Sequence, residues 1–423
     1  MIGADWTGNL ALTRRGRPGC NNRYDVAVRR LAFLAALITL PAQALPPATV
    51  AVAFDRTHIR PVLAEGEADR RTHRLVTADD PVRIASISKL VTALGVMRLV
   101  DQGRLDLDRD VSDYLGYRLR NPAFPERPIT LNLLLSHRSS LLDGEDLYLI
   151  PLGTTLRERL ADPRVWDPKH APGSDWFHYT NLNFPVIGSV IEAVMGVRFD
   201  VAMSRLVLKP LKLDACFNWG AGCSAGAYRR AVVLYRASGE VARDDLHGSP
   251  PVCAVYLGEG TACNLNAYRP GDNGALFSPQ GGLRISMRDL ARIGQMLARG
   301  GRGFLSRHAM ARLEQPVWAL NDRNGLGEDG EASGFFCSYS LAMHRIGNGG
   351  PDCHDDLFGD GKPRIGHSGD AYGLRSGLWF DPETGKGIAF FTSAVADDAP
   401  KGRSAFMAIE ESIVERSAKV PFR

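Results

Sequence analysis

From Ile84 to Gly103 the apolar residues return every three or four positions. Ile87, Leu90, Val91, Leu94 and Met97 fall on one side of a predicted helix, and Gly103 supplies its stop. The segment FPVIGSVIEAVMG repeats the pattern with Ile187, Val190, Ile191 and Val194 on one stripe, ended by Gly196. SMRDLARIGQMLARGG opens on Ser286 with Asp289 three residues on, a capping-box-like start, and stops at Gly300. A shorter helix is predicted for LNLLLSH after Thr130, and a terminal one over about 402–417, with Phe406, Ile409, Ile413 and Val414 on one face.

Elsewhere the period shortens to two. Residues 48–55 alternate as a strand does and lead through a polar turn into PVLAEGEA, its predicted hairpin partner. Near the other end GLRSGLWF and GIAFFTSA flank DPETGK, a second hairpin. Strands at both ends of the chain and helices between them predict an α+β fold. In it a mainly antiparallel sheet, built from both termini, is flanked by helices. The expected division is an α/β lobe from 45–104 and 362–423, with a largely helical lobe, 105–361, inserted. Two long loops rich in Gly, Asp and Pro, roughly 238–279 and 321–364, fall inside the insertion.

Charge refines the ends of this picture. The chain of 423 residues carries a formal net charge of +4. Residues 1–44 hold six arginines and two aspartates, so the remainder is balanced. A balanced body gives no electrostatic footprint for nucleic acid or an anionic membrane. Arg29 and Arg30 precede LAFLAALITL and then PAQA, the pattern of a signal peptide with cleavage expected after Ala44. Ten apolar residues are too few to span a bilayer, so no stable membrane span is expected after cleavage, and the protein is expected to be periplasmic or secreted. Cys20 would leave with the leader. The six that remain group as 216–223, 253–263 and 337–353, which suggests three short disulfide loops. No pair has C-x-x-C spacing and there is no H-E-x-x-H, so no metal is expected; the run Cys353 to Asp356 reads as a solvated loop.

The chemistry-bearing residues lie where the first helix begins. Ser86 sits in its first turn and Lys89 one turn later on the same face. That spacing brings an ammonium within reach of a hydroxyl at the positive end of the helix dipole. A serine hydroxyl is a weak nucleophile until a neighbour takes its proton. Spacing alone also fits an N-cap serine and a solvated lysine, but Lys89 is the only one of eight lysines with a serine three residues before it. Tyr179 alone among eleven tyrosines has an asparagine two residues on, and His367 alone among ten histidines has a glycine two on.

Ser86-Ile-Ser-Lys89, Tyr179-Thr-Asn181 and His367-Ser-Gly369 thus stand in one order along the chain. The set resembles the serine β-lactamase and penicillin-binding superfamily, whose pattern runs S-x-x-K, then Y-x-N or S-x-N, then K-T-G or H-x-G. LNLLLSHRSSL, PGSDWFHYTNLNFPVIGSVIEAVMG and SPQGGLRISMRDLARIGQML resemble the family's flanking segments, and the likeness covers about residues 50–415. The resemblance implies that Ser86 is the nucleophile of an acyl-enzyme, that Lys89 activates it, and that Tyr179 relays the proton to the leaving group. It implies that Asn181 orients substrate and lysine, and that the backbone N–H groups of Ser86 and Asp370 form an oxyanion hole. Gly369 lets substrate approach the strand, and His367 lines the site. His137 is expected to be a structural hydrogen-bonder, and His178 is given no role.

The third motif is H-S-G rather than K-T-G, which resembles certain D-alanyl-D-alanine carboxypeptidases, D-aminopeptidases and esterases more than the class C β-lactamases, while Y-x-N points to the class C-like branch. Histidine is not a permanent cation, and Arg375, just after the motif, is the expected replacement charge. The implied function is an exported serine hydrolase acting on a D-amino-acid peptide or a small ester. The alternatives are a class C-like β-lactamase and, from another class, a non-catalytic sensor or binding domain on the same fold. Nothing in the chain points to a metal, nucleotide or flavin cofactor. A small-molecule or peptide substrate is the expected partner, and the oligomeric state is left open.

Overall fold

A computed structural model describes residues 46–321, 324–326, 334–347, 350 and 352–421. The leader and its expected cleavage site lie outside the described residues. The centre of the fold is an eight-stranded sheet. Its strands are β1 (Thr49–Phe54), β2 (Ile59–Glu65), β3 (Trp318–Ala319), β4 (Ser338–Tyr339), β5 (His344–Ile346), β6 (Arg364–Ala371), β7 (Leu374–Phe380) and β8 (Gly387–Thr392). They run in the order β3-β4-β5-β6-β7-β8-β1-β2, every pairing antiparallel.

The two predicted hairpins are joined through β1 and β8, so the ends of the chain close one sheet as expected. The sheet also takes β3, β4 and β5 from the stretch assigned on sequence to the helical insertion. Each has only two or three residues, too few for a period to show.

Alternation assigns the two faces. Val50, Val52, Phe54, Leu378, Phe380, Ala389 and Phe391 join the main core. Ala51, Trp379, Ile388 and Phe390 join a second cluster with Ile413 and Val414. Helices α1 (Ile87–Asp101) and α4 (Met287–Ala298) cover the first face, and α5 (Ala408–Ala418) the second. Gly294 in α4 has no room for a side chain against Phe54 and Leu378, which lets that helix lie close to the sheet. The main core continues through α2 (Leu131–Leu135) and α3 (Asn183–Met195), so both expected lobes share one apolar interior.

Most helix ends follow the sequence signals. Thr130 accepts a hydrogen bond from Leu133 N and Ser286 from Asp289 N, each an N-cap. Gly196 ends α3 at φ 65°. Helix α5 starts at Ala408, later than expected.

The six cysteines pair as 216–223, 253–263 and 337–353, with Cα–Cα distances of 5.1, 5.9 and 5.8 Å. The loop after Cys353 is not simply solvated. Asp355 turns inward, accepts a hydrogen bond from Gly347 N at 3.1 Å, and burial pushes its carboxyl up to about 6. No helix among the described residues is long and apolar enough to cross a membrane.

Candidate active site

Strand Val82–Arg83 leads into Ile84, which is held at both ends: its N–H donates to Leu283 O at 3.1 Å, and its carbonyl accepts from Ser376 Oγ at 3.0 Å. Ala85 then adopts a left-handed conformation, φ 46°, unusual for a residue with a side chain. The chain turns sharply there into α1. Ser86 is the one partly exposed residue between Ile84 and Leu90.

Its hydroxyl makes no capping bond to the helix. It accepts a hydrogen bond from Lys89 Nζ at 2.9 Å instead, which removes the simple N-cap reading. Lys89 is fully buried, and its Nζ also donates to Asn181 Oδ1 at 2.7 Å and to Gln280 O at 3.1 Å. An ammonium has three protons to donate, and these three acceptors match them. The ring of Tyr179 lies over the same nitrogen, its centroid 4.8 Å away, with Phe184 at 5.5 Å. The S-x-x-K and Y-x-N residues therefore meet around one nitrogen.

Each partner is positioned by its own surroundings. Tyr179 is buried, stacked between His137 at 4.4 Å and Phe336 at 4.8 Å. His137 accepts from Thr180 N through Nδ1 at 2.9 Å, and burial, then the charge of Lys89, push its pKa well down, so it is a neutral scaffold. The segment 278–283 wraps α1: Thr92 Oγ1 donates to Pro279 O at 2.9 Å, and Ser88 Oγ accepts from Leu283 N at 3.0 Å.

Asp143 is a residue that sequence reasoning missed. Its carboxylate accepts from Asn181 Nδ2 at 2.8 Å and from Leu182 N at 2.9 Å, which turns the Asn181 oxygen toward Lys89. Burial raises the Asp143 pKa against the hydrogen bonds that stabilise its charge. The only sequence signal was an acidic residue closing the SHRSSLLD loop.

The third motif approaches from the sheet. Gly369 pairs with Ser376, and a side chain at Gly369 would collide with Ile84 O and Ser376 Oγ. Glycine is therefore required by the close pass of β6 over the residues before the nucleophile. Strand β5 pairs with β6 only as far as Gly366. His367 faces the α1 side but is fully buried. Its Nδ1–H donates to Ser368 O at 2.6 Å and its Nε2 accepts from Tyr339 OH at 2.9 Å. Burial and the nearby Lys89 charge push it down to about 3, so it is neutral.

Arg375 does not occupy the place expected of it. It alternates with Ser376 and lies on the α5 face with Trp379, ion-paired to the side chain of Asp370. Strand parity turns both charged side chains away from Ser86. Among the described residues no three His, Cys, Asp or Glu side chains are grouped to hold a metal.

A half-exposed serine bonded to a buried lysine, with a tyrosine and an oriented amide on that lysine, defines a serine hydrolase working by acyl transfer. The family model described as Beta-lactamase matches residues 35–409. The chain belongs to the Beta-lactamase family. It is 30% identical over 300 residues to esterase EstB of Burkholderia gladioli, covering 66% of this chain and 71% of that protein. It is 29% identical over 140 residues to the D-alanyl-D-alanine-carboxypeptidase/endopeptidase AmpH of Escherichia coli, 31% of this chain and 35% of that one. The solved D-amino acid amidase of Ochrobactrum anthropi superposes over 88% of this chain and 93% of its own, with TM-score 0.62 and 17% identity, a likeness of fold.

Proposed function

We propose that the protein is an exported hydrolase of small carboxylic esters and D-amino-acid amides or peptides, acting through an acyl-enzyme on Ser86. The observation that carries this reading is the 2.9 Å hydrogen bond between Ser86 Oγ and a fully buried Lys89. With Nζ deprotonated, its lone pair receives the Ser86 proton while Oγ attacks the substrate carbonyl. Charge developing on the carbonyl oxygen is met by the N–H groups of Ser86 and Asp370. Collapse of the tetrahedral intermediate breaks the bond to the leaving group, which takes the proton through Lys89 and Tyr179. Water then adds to the acyl-enzyme, releases the acid and restores the Ser86 hydroxyl.

Two features favour esters and amides over β-lactams. A neutral, buried His367 stands where K-T-G relatives place a cation, and the charge of Arg375 lies on the other face of the sheet. The esterase among the relatives points the same way. Three disulfides fit an oxidising compartment and support export.

Intact-mass measurement after exposure to a fluorophosphonate tests the reading, with Ser86→Ala as control. The expected result is one adduct, absent in Ser86→Ala, together with hydrolysis of p-nitrophenyl esters. A folded wild-type protein that takes up no reagent and turns over no ester would sink it and leave the sensor alternative. Fast turnover of a β-lactam with a short-lived adduct would replace it with the β-lactamase alternative.

A further inference from the structure

Three residues before the nucleophile stands Arg83, whose guanidinium lacks what Lys89 has. Its Nε is buried with no hydrogen-bond partner, while the side chain as a whole is partly exposed. What it touches is the ring of Tyr372, with Cζ 5.1 Å from the centroid. Arg243 lies 5.0 Å from the centroid of that ring and donates to Tyr372 OH at 3.3 Å. A third arginine, Arg284, completes the group but is satisfied. It forms a buried ion pair with Asp244 at 2.9 Å, and Trp219 Nε1 donates to that carboxylate at 2.9 Å. Arg284 and Asp244 cancel, which leaves two cations around one phenol.

Burial and then the Arg284 charge lower Arg83 to about 10, so it stays charged at neutral pH. A guanidinium with one nitrogen withdrawn from water and unpaired is costly unless its open side gains a partner. Arg243 is exposed and Arg83 and Tyr372 are partly exposed, so an anion has a way in.

The place of this group relative to Ser86 is set by two contacts. A methyl on Gly281 would lie 3.5 Å from Arg83 Nη2 and against Ala85, and the preceding residue, Gln280, holds Lys89. Gly369 packs on Ile84 and Ala85, and Tyr372 follows three residues along, in the turn that β6 enters after Ala371. Tyr179 lies at the opposite end of the motif, its ring 6.1 Å from that of His367. A leaving group that takes its proton at Tyr179 departs toward His367, and the acyl part extends toward Tyr372.

We infer that Arg83, Tyr372 and Arg243 form a carboxylate subsite for the acyl part of the substrate, so that the preferred substrates are half-esters or half-amides of short dicarboxylic acids. The inference rests on Ser86 as the acylated residue, and its test separates the two.

The first arm is turnover of p-nitrophenyl hemiglutarate against uncharged p-nitrophenyl hexanoate. Arg83→Gln is expected to lower the ratio of their kcat/KM values at least tenfold, and Arg243→Gln, at a more exposed position, about threefold. The second arm is calorimetric titration of Ser86→Ala protein with glutarate, where adding Arg83→Gln is expected to weaken binding at least tenfold. Thermal melts establish that each variant is folded; if Arg83→Gln is not, Arg243→Gln decides in both arms. An unchanged ratio, or no glutarate binding to Ser86→Ala protein, overturns the subsite. Arginine-dependent glutarate binding without turnover of either ester keeps the subsite and overturns the acyl-transfer reading.

Discussion

Two cations flank Ser86 at equal distance along the chain, Arg83 three residues before it and Lys89 three residues after. Lys89 is fully buried and Arg83 partly exposed, and their surroundings are opposite. Lys89 has three acceptors arranged around one nitrogen. Arg83 has an aromatic face and two neighbouring arginines. A buried charge whose hydrogen bonds are all made by its own protein is set for a task within the protein, here holding and taking a proton. A partly exposed charge whose Nε is left without an acceptor points outward, to a partner that arrives with the substrate. The contrast teaches that closeness to the nucleophile alone does not mark a catalytic cation; burial together with hydrogen bonding separates machinery from recognition.

The comparison breaks most sharply at Lys89. Lys89→Met keeps the length and packing of the side chain and removes its proton acceptor. Ester turnover in this variant is expected to fall roughly a thousandfold, the scale of a lost general base. KM should change little, since Lys89 lies behind the serine. Arg83→Gln should do the reverse, acting on substrate choice. A Lys89→Met enzyme within tenfold of wild type would remove the lysine from the proton path and leave Tyr179 to carry it.

How much of this is legible in the sequence depends on whether the signal is local. The S-x-x-K pair is readable because helical periodicity by itself puts Ser86 and Lys89 on one face. Tyr179 and Asn181 are readable as a motif, and the fold brings both to Lys89. Asp143 is not, because its role arises when a loop 38 residues upstream folds back onto Asn181. The placing of Arg375 fails for a physical reason: β7 is buried on both faces, so its sequence carries no polar alternation to say which side meets α1. His367 reads in the sequence as a titrating group, but its burial beneath Tyr339 is set by β4, a two-residue strand in a glycine-rich stretch. The subsite is invisible there because Arg83, Arg243 and Tyr372 are far apart in the chain.

Asp143 offers the next largest effect. Without its carboxylate the Asn181 amide is free to turn, and the 2.7 Å hydrogen bond from Lys89 is lost. Asp143→Ala is expected to lower kcat by roughly ten- to a hundredfold, the range for a misplaced catalytic group. Asp143→Asn, which keeps one acceptor, should recover part of it. A shifted pH–rate profile would show that the effect runs through Lys89. Loss of melting temperature with an unchanged profile would reduce Asp143 to a structural residue.

The smallest effect concerns the neutral end of the site. His367 is pushed from the ordinary 6.5 down to about 3 in the folded protein, whereas the unfolded chain takes up its proton near 6.5. Below 6.5 the unfolded state therefore binds more protons, and the stability contributed by the neutral ring is lost as pH falls toward 3. The loss is at most about 1.4 kcal/mol for each pH unit in that window. Glu192, raised by burial to about 7, works in the opposite sense as it deprotonates, so the informative quantity is the difference between two proteins. Urea unfolding of wild type and His367→Gln at pH 7 and pH 4.5 reads it directly. The wild type should lose more stability than the variant over that interval. Equal losses would mean that the ring is already charged in the folded site, and the contrast between a neutral motif strand and a cationic Arg83 end would not stand.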